Sequence, residues 1–292
     1  MSESFAGKFK ARAAQVTKDL VHRATIRTAM ASYEKARDEK KALFQDWQAA
    51  RDGAAAIKWE AINHLDDYLS RFAERMAARG TKVFWAANGQ EARDYIVALA
   101  KEKGARSIIK SKTMTSEEIH LNEALRQAGY EVVESDLGEF IVQLREEAPY
   151  HLVFPAMHLT RGQISDLFQK KLHSAPSDNP EDHPAQTALE KCSVGITACD
   201  ALVAQTGSIL LTARSAGGRA LSVLPPHHLV VAQMNQLVAD LPAALELLSA
   251  RYDGNFPSFA TFITGPSRTG DIERILVLGA HGPRLLTVIL VQ

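Results

Sequence analysis

The sequence predicts an α/β fold with a mainly parallel sheet and a helical N-terminal extension, on three observations. Residues 1–80 contain no proline and only three glycines, Gly7, Gly53 and Gly80, among many Ala, Lys, Glu, Arg and Gln, the composition of near-continuous helix. From Thr81 onward, short β-rich runs alternate with helical stretches of about ten to fifteen residues, the rhythm of a parallel sheet covered on both faces. Polar and glycine-bearing segments then fall at the predicted strand ends, where open α/β sheets place their ligands.

Within the N-terminal helices Trp59, Ile62, Leu65, Tyr68, Leu69 and Phe72 recur at three- and four-residue steps. That spacing makes one apolar stripe for packing on a core or on another subunit. Residues 30–50 are more weakly patterned and are expected to project as an arm. Strands are predicted at Lys82–Ala87, Ser107–Lys110, Glu131–Glu134, Phe140–Leu144 and Leu152–Phe154. Helices are predicted between the first two strands, over Ser116–Ala128 with Ser116 as N-cap, and over Thr160–Leu172. The stretch His173–Pro184 holds three prolines and no apolar run, which predicts a surface loop or linker. Beyond it strands crowd together at Ala201–Gln205, Ser208–Thr212, Ala220–Val223, Leu229–Ala232, Thr261–Ile263, Arg274–Leu278 and Leu286–Val291, with one helix around Leu241–Ala250. The organisation expected is a helical extension over 1–80 and one α/β domain over 81–292, with a surface loop near 173–184.

Lys plus Arg and Asp plus Glu number 34 each, for a formal net charge of zero. A protein that tracks phosphate backbones carries a basic surplus, so nucleic acid is not an expected partner. No run approaches the roughly 18 apolar residues of a membrane span. Residues 1–20 lack the apolar segment of a signal peptide, so a cytoplasmic protein with no membrane partner is expected. Cys192 and Cys199 are separated by six residues, which matches neither a CxxC pair nor a cluster-binding run. They are expected to be reduced and buried.

Six segments are candidates for chemistry. In Lys110-Ser-Lys-Thr-Met-Thr-Ser-Glu-Glu118 a strand ends and a helix begins. Lys110, Ser111 and Lys112 beside a helix N-terminus either hold an anion or form a solvated, capped turn. Asp136-Leu-Gly-Glu139 sets two acids around a glycine; such a pair serves proton transfer or a plain turn, with Glu139 the candidate. His158 is either a general base or a hydrogen-bonded histidine at a helix entry. Gln205-Thr-Gly-Ser208 reads as a tight hairpin, offering Thr206, Gly207 and Ser208 to a ligand. Ser215-Ala-Gly-Gly-Arg219 places adjacent glycines, Gly217 and Gly218, where backbone can approach a ligand, with Arg219 able to meet a carboxylate or phosphate bidentately. Pro225-Pro-His-His228 starts a strand whose neighbouring histidines face opposite ways, so they do not share a metal. With no HExxH elsewhere, no metal site is expected. Thr264-Gly-Pro-Ser-Arg268 has the make-up of a turn or an anion-binding loop.

Taken together, these segments resemble the LUD-domain lactate-utilization family, a bacterial family. The likeness runs through residues 59–80, Ser107–Leu125, Glu134–Leu144, His151–Thr160, Gly195–Asp200, Ala204–Ser208 and Leu224–His228, which are similar to the core of the family's B proteins. Ile263–Glu273 and Val277–Pro283 look more like its C proteins. The resemblance implies a fold of the ribose-5-phosphate isomerase/CoA-transferase-like (NagB/RpiA-like) type and a role in oxidising L-lactate to pyruvate beside an iron–sulfur partner. The B proteins continue into a ferredoxin-like segment with cysteine runs. The residues up to Gln292 offer only Cys192 and Cys199, so no cofactor is expected on this chain and the iron–sulfur cluster is expected on a partner protein. CoA-transferases of the wider group use a glutamate nucleophile. Ser208–Arg214 after Gly207 contains none, which argues against covalent CoA transfer.

The function expected is that of an accessory or ligand-binding subunit in L-lactate utilization, binding a small anionic metabolite. Its ligand-binding set is Lys110, Ser111, Lys112, Thr206, Gly207, Ser208, Gly217, Gly218, Arg219 and His227. The alternative is a stand-alone enzyme acting on a sugar phosphate or CoA ester, with Glu139, His158 and Asp200 moving protons. Expected partners are other lactate-utilization subunits, and the helical extension is a candidate for homo-oligomerisation.

Overall fold

The computed structural model describes residues 5–172, 192–270 and 275–292. It has two compact units: the described parts of residues 46–136 and 184–292 form the larger, and those of 1–45 and 137–183 the smaller. The expected loop at 173–184 lies outside the described residues.

The larger unit is built on a six-stranded sheet. Its strands are β1 (Lys82–Ala86), β2 (Ser107–Lys110), β3 (Glu131–Glu134), β4 (Val194–Thr197), β7 (His227–Gln233) and β12 (Leu285–Val291). They lie in the order β1-β12-β7-β4-β2-β3, and every pairing is parallel. Successive side chains of β7 face opposite ways. Leu229 and Val231 join a core on one face, while Val230 and Ala232 join a second core on the other. A strand buried on both sides needs an unbroken apolar run, and Leu229–Ala232 supplies it.

The first core is closed by α5 (Gly89–Glu102) and α7 (Leu121–Gln127), through Ala92, Ile96, Leu99, Leu121 and Leu125. The second core takes Leu69 and Phe72 of the predicted N-terminal stripe, with Met76 beside them on α4 (Leu65–Ala77), together with one face of a smaller sheet. That sheet runs β8 (Leu237–Val238), β5 (Ala201–Val203), β6 (Ser208–Thr212), β9 (Ala260–Ile263). Its other face packs Ala201, Val203, Leu210 and Val238 against Ala244, Leu247, Leu248 and Tyr252 of α10 (Leu241–Tyr252). Ala54 and Ile57 of α3 (Trp47–Asn63) join that third core. A short hairpin, β10 (Arg268–Thr269) with β11 (Val277–Leu278), completes the unit.

The smaller unit contains α1 (Phe5–Val16), α2 (Leu20–Lys41), α8 (Leu137–Arg145) and α9 (Arg161–Leu172). Phe140 and Phe168 bring α8 and α9 together, with ring centroids 6.2 Å apart. No side chain of α2 is buried.

The predicted α/β class with a mainly parallel sheet is present, and four local expectations are corrected. Phe140–Leu144 is not a strand but the body of α8. Glu139 in its first turn and Arg145 in its last complement the helix dipole. Leu152–Phe154 is a bend and not a strand: His151 Nδ1 accepts from the Val153 and Phe154 N–H groups, 3.1 and 3.2 Å away, local bonds that compete with strand pairing. Ala220–Val223 is likewise a turn, with the Val223 and Leu224 N–H groups both directed to Ala220 O. Finally, the helix expected over Ser116–Ala128 is two, α6 (Met114–Glu118) and α7, broken where His120 takes a left-handed conformation, φ 51°. The Arg93 guanidinium donates to the Ile119 carbonyl at the break, 2.6 Å away. Thr113, not Ser116, is the N-cap, accepting from the Ser116 N–H. Among the described residues, no helix is long and apolar enough to cross a membrane.

Candidate functional site

Parallel strands end on one edge of a sheet, and the polar residues of this chain concentrate at the carboxyl ends of β2, β3 and β4 in the larger unit. Lys110 is the last residue of β2 and is fully buried. Its ammonium lies 3.0 Å from Glu134 Oε1 at the end of β3 and 3.2 Å from Glu117 Oε1 on α6. It also donates to Ser116 Oγ, 3.2 Å away. Glu134, itself buried, accepts a further bond from Asn122 Nδ2 of α7, 2.6 Å long. A charge moved out of water is tolerated only when paired and hydrogen-bonded. The Lys110 charge is thus answered by two carboxylates, and its geometry ties β2, β3, α6 and α7 together.

Ser111 continues β2 into the loop and is buried. Its hydroxyl donates to Ser215 O, 3.1 Å away. Lys112 is half-buried, and burial lowers its pKa, against the opposing pull of Glu117 and Asp136. The Ser215–Arg219 segment closes on itself. The Ala216 N–H bonds Thr212 O, and the Gly218 N–H bonds Ala213 O at 2.8 Å. Gly217 sits between them at φ 63°, the left-handed position that ends such a turn and that glycine adopts without strain. A Cβ there would also meet Ser135 Oγ and come within 2.6 Å of Ser111 Cβ. Gly217 therefore serves turn closure and close packing beside the ends of β2 and β3, whereas an added Cβ at Gly218 would meet nothing within 4 Å. Arg219 is exposed and makes no hydrogen bond or ion pair among the described residues.

Asp200, after β4, anchors the same loop. Its Oδ2 accepts from Ser215 Oγ at 2.6 Å and from the Thr212 N–H at 2.9 Å. Its Oδ1 pairs with Arg251 Nη1 of α10, 2.5 Å away. A carboxylate so engaged holds the loop in place.

The other candidates sit elsewhere. Thr206, Gly207 and Ser208 form the β5–β6 hairpin, at the far end of a five-residue strand, about 13 Å along β6 from the Ser215 loop. Gly207, at φ 62°, lets that hairpin rest on α4, since a Cβ would come within 2.5 Å of Arg75 Cβ. Ser208 Oγ is 2.8 Å from Thr206 Oγ1 and 3.1 Å from Thr264 Oγ1. His227 opens β7 at the amino edge of the sheet, level with Val194. Its Nε2 meets Thr287 Oγ1 at 2.9 Å, and burial lowers its pKa to about 4.

Glu139 and His158 belong to the smaller unit. Glu139 is buried in the first turn of α8. His158 Nε2 pairs with Glu147 Oε1 at 2.9 Å, and its ring stacks on Tyr150 with centroids 4.9 Å apart. Both cysteines are buried thiols outside any disulfide among the described residues; desolvation raises both thiol pKa values, that of Cys192 to about 11.

Sequence reasoning missed Glu134, Asn122 and Arg251, and named Ser215 only as the start of the Ser215–Arg219 turn. Glu134 carried a signal: an acidic residue closes the strand Glu131-Val-Val-Glu134, beside a strand closed by a lysine. Asn122 and Arg251 carried none, because helix packing alone brings them to the cluster.

A parallel six-stranded sheet covered by helices, with polar groups gathered at its carboxyl edge, defines the class as α/β. Residues 69–291 match the model of the LUD domain, and the chain belongs to the LUD-domain family. Among curated relatives, "Lactate utilization protein B" of Bacillus pumilus (strain SAFR-032) is 36% identical over 275 residues, 91% of this chain and 58% of the relative. The protein of the same name from Bacillus subtilis (strain 168) is 33% identical over 276 residues, again 91% and 58%. "Uncharacterized electron transport protein YkgF" of Escherichia coli (strain K12) is 31% identical over 275 residues, with the same two coverages. The chain thus spans 58% of the length of these relatives. A crystal structure of a DUF162 family protein from Deinococcus radiodurans aligns with 78% of this chain and 98% of its own, at a TM-score of 0.41 and 22% identity.

Proposed function

We propose that this chain is a ligand-binding component of an L-lactate-oxidising system. It holds a small hydroxy- or oxo-acid at the carboxyl ends of β2, β3 and β4, while electrons leave through an iron–sulfur protein. The observation that carries this reading is the 36% identity, over 91% of the chain, to a protein named for lactate utilization. The name of the Escherichia coli relative, an electron transport protein, supports the redox partner.

In this reading the residues divide the labour. Lys110 is already neutralised by Glu134 and Glu117, so it organises the edge and does not bind the acid. Lys112 and the exposed Arg219 supply the positive charge, Arg219 being suited to a two-pronged contact with a carboxylate. Asp200 and Ser215 fix the loop from which Arg219 projects, so they are positioning residues.

Titration calorimetry with L-lactate and with pyruvate tests the reading. Saturable heat with one of them is expected, weakened at least tenfold in Arg219→Ala, about 1.4 kcal/mol. Absence of heat with both acids overturns it. Disruption of the gene is expected to abolish growth on L-lactate as sole carbon source, and normal growth removes the pathway assignment.

A further inference from the structure

Two loops of the larger unit meet at one corner, away from the Lys110 cluster: the β5–β6 hairpin and the segment that follows β9. Thr206 Oγ1 donates to Ser208 Oγ at 2.8 Å, and Ser208 Oγ lies 3.1 Å from Thr264 Oγ1. Three hydroxyls carry three O–H donors, and these two bonds use two of them. Among the described residues, one proton of the chain is left over.

Arginines gather around the same corner. A Cβ on Gly207 would come within 2.5 Å of Arg75 Cβ and 3.0 Å of the Arg75 carbonyl carbon. One on Gly265, next to Thr264, would lie 3.3 Å from Arg79 Cβ and 3.5 Å from Arg268 Nη2. Arg79 Nη1 donates to Arg75 O, 3.0 Å away. Its guanidinium is thus held on the backbone against which the hairpin packs, with four of its five N–H donors unspent. None of the three arginines forms an ion pair among the described residues. Like charges brought together repel one another, and a bound anion relieves that repulsion.

The chemistry of the anion follows from the donors. A carboxylate has two oxygens and one charge, which a single guanidinium satisfies with two parallel bonds. A phosphate monoester carries a charge of about −1.5 to −2 and three strong acceptor oxygens. That is enough to meet two guanidinium forks and the spare hydroxyl proton together. Arginine, with its planar fork, suits this contact better than lysine does.

We propose that this corner is a binding site for a phosphate group, held by Arg79, Arg268 and the Thr206–Ser208–Thr264 hydroxyls. It is separate from the carboxyl edge of the parallel sheet, since the hairpin lies at the far end of β6 from the Ser215 loop.

Glycerol 3-phosphate and inorganic phosphate are the probes, titrated calorimetrically into the full chain at an ionic strength held constant with sodium chloride. Saturable binding at one site per chain is expected, weakened at least tenfold in Arg268→Ala and unchanged in Arg219→Ala. Tighter binding of the ester makes a phosphorylated small molecule the source of the group, and tighter binding of the free ion makes it phosphate itself. Arg268 is exposed, so its variant is expected to keep the melting temperature of the parent without ligand. Arg79→Ala, also expected to weaken binding at least tenfold, gives an independent second reading. No saturable binding of either probe, binding unchanged by both of these substitutions, or binding lost in Arg219→Ala overturns the proposal. The last result would move the phosphate to the carboxyl edge.

Discussion

At the scale of single residues, the buried ammonium of Lys110 governs the carboxyl edge of the sheet. Removing its buried partner leaves only the part-exposed Glu117 to compensate that charge, so Glu134→Gln is expected to destabilise the protein by about 3 kcal/mol in urea denaturation. An unchanged midpoint would mean that Glu117 alone suffices. Gly217→Ala meets two penalties, a positive φ and a close approach to Ser111 Cβ, and is expected to cost at least about 1 kcal/mol. The same substitution at Gly53, mid-helix in α3 with nothing within 4 Å of an added Cβ, is expected to stabilise by up to about 1 kcal/mol. Melting curves of the two variants compare them directly. Lys110, Ser111, Asp200 and Gly217 were legible as candidates because polar or glycine residues interrupted apolar strands. Their roles were not, since a lysine that binds an anion and one bound by two carboxylates look alike until Glu134 and Glu117 are placed beside it.

At the scale of elements, strands and helices with strong local signals were legible, and those decided by competing local bonds were not. β2, β3, β7 and β12 follow from short β-branched and aliphatic runs, and α4 follows from its stripe. Phe140–Leu144 misled because five apolar or neutral residues in a row fit a short buried strand as well as a helix; dipole-complementing ends settled it as α8. His120 has no side-chain signature that announces a left-handed break, so the division into α6 and α7 was hidden. The helix around Leu241–Ala250 was expected, but its cap was not read; an acid there precedes a proline-bearing first turn. Asp240 accepts from the Ala243 N–H at the start of α10, and Asp240→Ala is expected to cost about 1 kcal/mol by chemical denaturation. A change below a few tenths would show that packing against the four-stranded sheet holds the helix without its cap.

At the scale of the whole molecule, the class and the parallel sheet were legible, but the strand order was not. Periodicity cannot say that the C-terminal strand β12 lies between β1 and β7, and that insertion buries His227 and His228 beside Thr287 and Thr197. Their pKa values are lowered by burial, to about 4 and about 3, against about 6.5 in the unfolded chain. The unfolded state therefore takes up protons first, and the neutral-histidine contribution to stability, complete above pH 6.5, falls as pH drops toward 4. The urea midpoint is expected to decline between pH 7 and pH 5, with a shallower slope in His227→Gln; an equal slope would assign the acid sensitivity to other groups. Membership of the LUD-domain family leaves one central question, whether the carboxyl edge of this sheet holds the acid of a lactate-oxidising system. Calorimetric titration of the full chain with L-lactate and pyruvate, repeated on Arg219→Ala, answers it most directly. The account predicts saturable binding of at least one acid and its loss in the variant; silence with both, or binding indifferent to Arg219, would contradict it.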